Sequence, residues 1–197
     1  TPGRAETRLS KFAALDLGRV VAVHGRHWVV ESPEGERTIC HPRGKKSECV
    51  VGDFVRWQPA GDEGVIEHIE PRRNLMHRQD EWKTKSFAAN LDAVLVIVAA
   101  DPPFSEAQLA RALIAAESAG IAADVLLNKC DLPQAAAARD RLAPYRAVGV
   151  PVHDVAMKAS PDAARAVLAP LLGGHTTLVP GPSGMGKSTL INLMVPG

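Results

Sequence analysis

Two kinds of hydrophobic spacing run along the chain. Residues 17–23, 27–32, 36–41, 53–58 and 64–69 are short segments rich in Val, Ile and Trp. Turn sequences separate them: Gly25-Arg26, Pro33-Glu34-Gly35, Gly52-Asp53 and Ala60-Gly61-Asp62-Glu63-Gly64. Five short strands with no helical period between them predict a small closed barrel. The oligonucleotide-binding barrel is the commonest five-stranded choice, and an SH3-like barrel is the rival.

From residue 91 the pattern changes. Residues 91–99 are almost continuously apolar, as in a strand buried on both faces of a parallel sheet. Residues 105–120 then read as a helix: Ser105 with Gln108 forms a capping box, Leu109, Ala112, Leu113 and Ala116 share one face, and Gly120 sits at the C-terminal cap. Strands are predicted at 123–127, 151–155 and 176–179, with helices at 135–145 and 160–172 and another from Leu190. Ser160 is the expected cap of the 160–172 helix, with Pro161 in its first turn. This alternation predicts a doubly wound parallel sheet with ligands at the C-terminal strand ends, so the whole is α/β plus all-β. The expected domains are a flexible lead over residues 1–15, a barrel over 16–70, a basic linker over 71–90 without clear periodicity, and the α/β domain over 91–197.

The chemistry is concentrated near the end. Gly181-Pro182-Ser183-Gly184-Met185-Gly186-Lys187-Ser188-Thr189 fits the phosphate-loop pattern, with a strand before it and a helix after it. Glycines let successive backbone N–H groups turn around phosphate oxygens, and the following helix points its positive end at the same charge. Lys187 is placed to reach the β and γ phosphates, and Ser188 to put its hydroxyl on Mg²⁺, so these two are the expected catalytic groups. A second motif, Asn128-Lys129-Cys130-Asp131, follows directly on a buried strand. A carboxylate at Asp131 can accept both the N1–H and the exocyclic amine of guanine, whereas adenine offers no such donor pair. The stem of Lys129 can cover the base, and Asn128 can reach across to the phosphate loop. The expected ligands are GTP and GDP with Mg²⁺. An ATP-using kinase is the weaker reading because of Asp131.

Charge adds little to this. Lys and Arg total 23 and Asp and Glu 22, for a net charge of +1, so nucleic-acid contact has to rest on local clusters. The clusters are Arg43-Gly44-Lys45-Lys46, Arg72-Arg73, Arg78 and Lys83-Thr84-Lys85; Arg43, Lys45, Lys46, Arg72 and Arg73 are the candidate RNA contacts, and solvated loop is the alternative for each. Trp28, Phe54 and Trp57 offer either a stacking platform for bases or the core of the barrel, with Trp28 carried forward as an RNA contact. His24, His27 and His41, at strand ends, are weaker candidates for phosphate contact. Cys40, Cys49 and Cys130 lack the spacing of a zinc knuckle or a disulfide framework and read as reduced thiols. The longest apolar run, 93–100, is too short to span a bilayer, and the cytoplasm is the expected location. The chain starts with Thr and stops within a helix, as a segment of a longer protein would.

The order of the motifs is informative, because the guanine motif begins 53 residues before the phosphate loop. Conventional GTPases have the loop first. In this order, and in Ala89-Asn90-Leu91-Asp92, Pro102-Pro103-Phe104, Asn128-Lys129-Cys130-Asp131-Leu132 and Ser188-Thr189-Leu190-Ile191-Asn192, the chain resembles the circularly permuted GTPases, most closely the ribosome small subunit-dependent GTPase A family. The resemblance extends from about residue 17 to 197. It implies an oligonucleotide-binding barrel, a permuted GTPase domain and, beyond this chain, a C-terminal module holding Zn²⁺. It also implies hydrolysis of GTP to GDP and phosphate, stimulated by the small ribosomal subunit, late in maturation of the 30S particle. Barrel and linker would face rRNA, and the protein would act as a monomer without a membrane. The family's third base-contacting turn, Ser-Ala-Lys-like, falls at Ala156-Met157-Lys158, where only Lys158 matches. The switch threonine, the Asp-x-x-Gly segment and the zinc ligands of that family would all follow Gly197, so this segment alone is not expected to complete hydrolysis. The alternative is a non-catalytic RNA-binding module whose nucleotide site senses ligand or is vestigial.

Overall fold

The computed structural model of the chain describes residues 11–44, 48–79 and 84–195. They divide into two compact units, one ending at Asn90 and the other starting at Leu91.

In the first unit, β1 (Asp16–His24), β2 (His27–Glu31), β3 (Arg37–Pro42), β4 (Phe54–Ala60) and β5 (Glu63–Ile69) close into a barrel in the order β1-β2-β3-β5-β4. All neighbours are antiparallel except β3 and β5, which pair in parallel with Cys40 opposite Gly64. This arrangement is the oligonucleotide-binding barrel and not its SH3-like rival. Inward positions alternate along the strands: Val20, Trp28, Val30, Cys40, Val55, Trp57 and Ile66 fill the interior together with Cys49. The two indoles need room. A Cβ at Gly64 would lie 2.6 Å from both the Cys40 sulfur and the Trp57 ring, so only glycine lets β5 pass there.

Within the stretch read as a basic linker without clear periodicity lie two strands. β6 (Leu75–Gln79) and β7 (Thr84–Ala89) form an antiparallel hairpin. Met76, Ala88 and Ala89 are buried, and the Ala89 N–H donates to the Val51 carbonyl at 2.9 Å, which ties the hairpin to the first unit. The hairpin is hidden in the sequence because the buried residues of β7, Ala88 and Ala89, are small and adjacent and so give no alternation, and because the strands are only five and six residues long. Asn90 ends this unit. It is buried with a positive φ of 55°, its side-chain amide donates to the Gly52 carbonyl at 3.0 Å, and its Oδ1 accepts from the Arg73 N–H at 2.7 Å.

In the second unit, β8 (Ala93–Ala99), β9 (Ala122–Asn128), β10 (Val152–Asp154) and β11 (Thr177–Leu178) form a parallel sheet in the order β10-β9-β8-β11. Four helices alternate with these strands: α1 (Glu106–Ser118), α2 (Ala135–Ala147), α3 (Pro161–Leu172) and α4 (Lys187–Met194). β8 is buried along nearly its whole length, as its unbroken apolar run predicts. Ser105 caps α1 by accepting from the Gln108 N–H at 3.3 Å. Ser160 makes no such bond at α3, whose first turn holds Pro161 and Asp162, so the expected serine cap is absent. The Asp92 carboxylate accepts from the Thr176 N–H at 2.7 Å and so holds the start of β11 beside β8. No helix among the described residues is long and apolar enough to cross a membrane.

Candidate nucleotide-binding site

β9 delivers Asn128 to its C-terminal edge, and β11 leads into the loop 181–186 that opens α4. Both arrive at the same end of the sheet because its strands are parallel. Between them lies a cleft of about 650 Å³. Its wall holds Asn128, Lys129, Asp131, Met157 and Lys158 on one side and Pro182, Ser183, Gly184, Gly186, Lys187, Ser188 and Thr189 on the other. Eleven of the thirteen residues singled out from the sequence for nucleotide contact therefore line it, together with Leu132 and Met157. The two that do not are Gly181, which packs on Ile97, and Met185, whose side chain is buried.

The loop conformation follows from its glycines. Gly186, the residue before α4, has φ of +112°, and a Cβ there would stand 2.3 Å from the Asn128 amide nitrogen and 3.0 Å from the Met157 methyl. Only glycine fits this corner. The Lys187 ammonium donates to the Gly181 carbonyl across the loop, which places its charge over the concavity. Ser188 and Thr189 sit in the first turn of α4, where free backbone N–H groups and the positive end of the helix favour an anion.

Asn128 connects the parts. Its side-chain amide donates to the Met185 carbonyl at 3.0 Å, and its Oδ1 accepts from the Met157 N–H at 3.2 Å. One buried side chain thereby joins the end of β9, the phosphate-type loop and the turn 156–158. Lys129 follows with a positive φ of 60°, rare for a residue with a Cβ, and its ammonium donates to the Asp101 carbonyl at 2.6 Å. Asp131 stays exposed on the cleft wall, available to a ligand's donors. Lys158 is exposed beside it. The link from Asn128 to the Met157 backbone escapes sequence reasoning, since an N–H group carries no residue signature. The positive φ at Lys129 has no sequence signal either.

The residues expected to meet RNA are sorted differently by the barrel. Trp28 is buried, and its indole N–H donates to the Cys49 carbonyl at 3.1 Å, so it is core and offers no stacking face. Its parity with Val30 on β2 was the available signal. Arg72 is also withdrawn: its guanidinium forms a bidentate pair with the fully buried Asp53 at 2.7 and 2.8 Å and donates to the Glu48 carbonyl. Removing Asp53 from water is tolerable only with such a partner. Arg43 is exposed and paired with Glu67. Arg73 is exposed, with one guanidinium nitrogen donating to the Asn90 carbonyl. Lys45, Lys46 and Lys83 lie outside the described residues. Of the remaining aromatics, Phe54 is partly exposed with the Arg19 guanidinium 4.9 Å from its ring, while Trp57 is core.

The thiols are free, as expected. Burial pushes Cys40 up to about 11 and Cys49 up to about 12, so both stay protonated and inert near neutral pH. Cys130, within the guanine-type motif, is also raised by burial, and its thiol donates to the Leu127 carbonyl at 3.3 Å.

Comparison with known proteins gives a consistent answer. Residues 69–197 match the family model described as RsgA GTPase. Over its whole length the chain is 58% identical to the small ribosomal subunit biogenesis GTPase RsgA of Variovorax paradoxus (strain S110), and it spans 63% of that relative. The crystal structure of YjeQ from Thermotoga maritima superposes with a TM-score of 0.69 at 28% identity, covering 92% of this chain and 66% of that one. A solved structure described as YloQ, a circularly permuted GTPase, gives a TM-score of 0.65 at 25% identity, covering 94% of this chain and 66% of that one. The resemblance read from motif order is borne out: the chain belongs to the RsgA GTPase family.

Proposed function

We propose that this chain is the nucleotide-binding and barrel portion of a GTPase that acts in biogenesis of the small ribosomal subunit. The observation that carries the reading is the Asn128 bridge, which holds a guanine-selecting motif and a phosphate-type loop around one cleft although they are far apart in sequence. Asp131 selects the base by accepting its paired donors, and Lys129 and Lys158 flank it. The loop 181–186 and the start of α4 hold the phosphates, and Lys187 offsets their charge. Ser188 is the one hydroxyl in this chain assigned to Mg²⁺, and its position on the cleft wall at the first turn of α4 fits that role. The ion would supply charge neutralisation between phosphate oxygens.

Hydrolysis to GDP and phosphate, and its stimulation by the small subunit, belong to the whole protein, of whose relatives this chain spans about three fifths. In the same reading the barrel meets rRNA through Arg43, Lys45, Lys46 and Arg73, the protein works as a monomer in the cytoplasm, and Zn²⁺ is held by a module beyond this chain. The nucleotide part is tested by competition binding. GDP and GTP should displace a fluorescent guanine nucleotide while ATP does not, and Lys187→Ala should weaken GTP by at least about tenfold. Equal affinity for ATP and GTP would return the kinase reading.

A further inference from the structure

One cluster plays no part in the nucleotide site. His27 opens β2, His41 lies near the end of β3, and Glu63 opens β5. Trp28 pairs with Cys40, and Cys40 with Gly64, and these three positions face the barrel interior. Their neighbours His27, His41 and Glu63 therefore point outward together at one end of the barrel. The histidine rings meet edge to face at 4.8 Å, and ligand-type atoms of all three residues lie within 4.8 Å of one another.

The ring contacts of His41 bear on what the cluster can hold. Its Nδ1 stands 3.3 Å from the Arg26 carbonyl, and its Nε2 stands 2.5 Å from a Glu63 carboxylate oxygen. Both ring nitrogens thus face acceptors. When Nδ1–H donates to the carbonyl, as is common for histidines that hold a metal through the other nitrogen, Nε2 presents a lone pair to the carboxylate. A lone pair against a carboxylate needs a positive centre between them, either a proton or a metal ion.

We propose that His27, His41 and Glu63 form a site for a transition-metal ion of the Zn²⁺ class, held by two imidazoles and one carboxylate with water completing the shell. Two nitrogens and one oxygen suit Zn²⁺, Co²⁺, Ni²⁺ or Cu²⁺, whereas Mg²⁺ and Ca²⁺ prefer oxygen alone. A tetrahedral ion with bonds near 2.0–2.1 Å sets its ligand atoms roughly 3.3 Å apart. Reaching that spacing takes movements of about an ångström, and the side chains of His41 and Glu63 are partly solvent-exposed and able to make them. The ion joins the β1–β2 turn, the end of β3 and the start of β5, which are remote in sequence, and so clips the barrel closed. Because metal binds the folded barrel and not the unfolded chain, it raises the barrel's stability. This inference is independent of the nucleotide reading.

The test is optical titration of the reduced 197-residue chain with Co²⁺, followed by competition with Zn²⁺. One equivalent of Co²⁺ should give the intense visible bands of a low-coordinate site and be displaced by Zn²⁺. Affinity should fall at least roughly tenfold in His27→Ala, His41→Ala and Glu63→Gln, and stay unchanged in Cys130→Ser. A spectrum no different from that of hydrated Co²⁺, or one retained in the His27→Ala/His41→Ala double variant, overturns the site. Should a variant fail to fold, the wild-type chain still decides: Zn²⁺ should protect both His27 and His41 from acylation by diethylpyrocarbonate, and equal modification with and without Zn²⁺ refutes the proposal.

Discussion

At the scale of single residues, Asn128 is where the site depends on one side chain. Its amide satisfies the Met185 carbonyl, and its Oδ1 satisfies the Met157 N–H. Leaving both unpaired in a buried corner costs about 1–3 kcal/mol for each group. Asn128→Ala should therefore lower the unfolding free energy by about 3 kcal/mol, read from urea titration, and weaken GDP binding in parallel. Asn128→Asp keeps the acceptor and loses the donor, so it should fall between the two; an Ala variant as stable as wild type would mean the bridge does not tie the loop. This residue also shows what could be read in advance. Asp131 stood out because a carboxylate matches the paired donors of guanine, and the reach of Asn128 to the phosphate-type loop was expected from the hydrogen-bonding capacity of its amide. Its bond to the Met157 backbone was hidden, and so was the pairing of Arg72 with Asp53, because an arginine in the pair Arg72-Arg73 looks alike in sequence whether its partner is a buried carboxylate or a phosphate.

At the scale of elements, the barrel strands and the parallel strands were legible because apolar spacing differs between them, alternating in β1 to β5 and continuous in β8. The hairpin β6–β7 was not, since the adjacent small residues Ala88 and Ala89 carry its burial without alternation, and lysine and arginine suggest a solvated linker. Likewise the three outward residues of the proposed metal site sit on three strands, and only the pairing of β3 with β5 brings Glu63 to the histidines. The barrel's proposed RNA contacts rest on the charges of Arg43, Lys45, Lys46 and Arg73. Replacing Arg43, Lys45 and Lys46 with glutamate should weaken rRNA binding, and each lost phosphate contact should reduce the salt slope of that binding by about one. Arg43 already pairs with Glu67, so its share should be smaller than that of a solvated lysine. An unchanged slope would mean that these three charges do not meet phosphate.

At the scale of the whole molecule, the permuted order has a physical meaning. A parallel sheet brings the C-terminal ends of β9 and β11 to one edge whatever their order in sequence, so the guanine-type motif can precede the phosphate-type loop by 53 residues and still face it. Function is set by the site, and connectivity is free to vary as long as the strands stay parallel. The proposed guanine selection rests on Asp131, exposed on the wall of the cleft at that shared edge. The decisive measurement is nucleotide preference in Asp131→Asn, with wild type alongside. GTP affinity should fall roughly a hundredfold or more, while xanthosine triphosphate, whose altered edge suits an amide, becomes the preferred ligand. If the variant keeps the wild-type preference for GTP, Asp131 does not read the base and the assignment of this cleft to guanine is wrong.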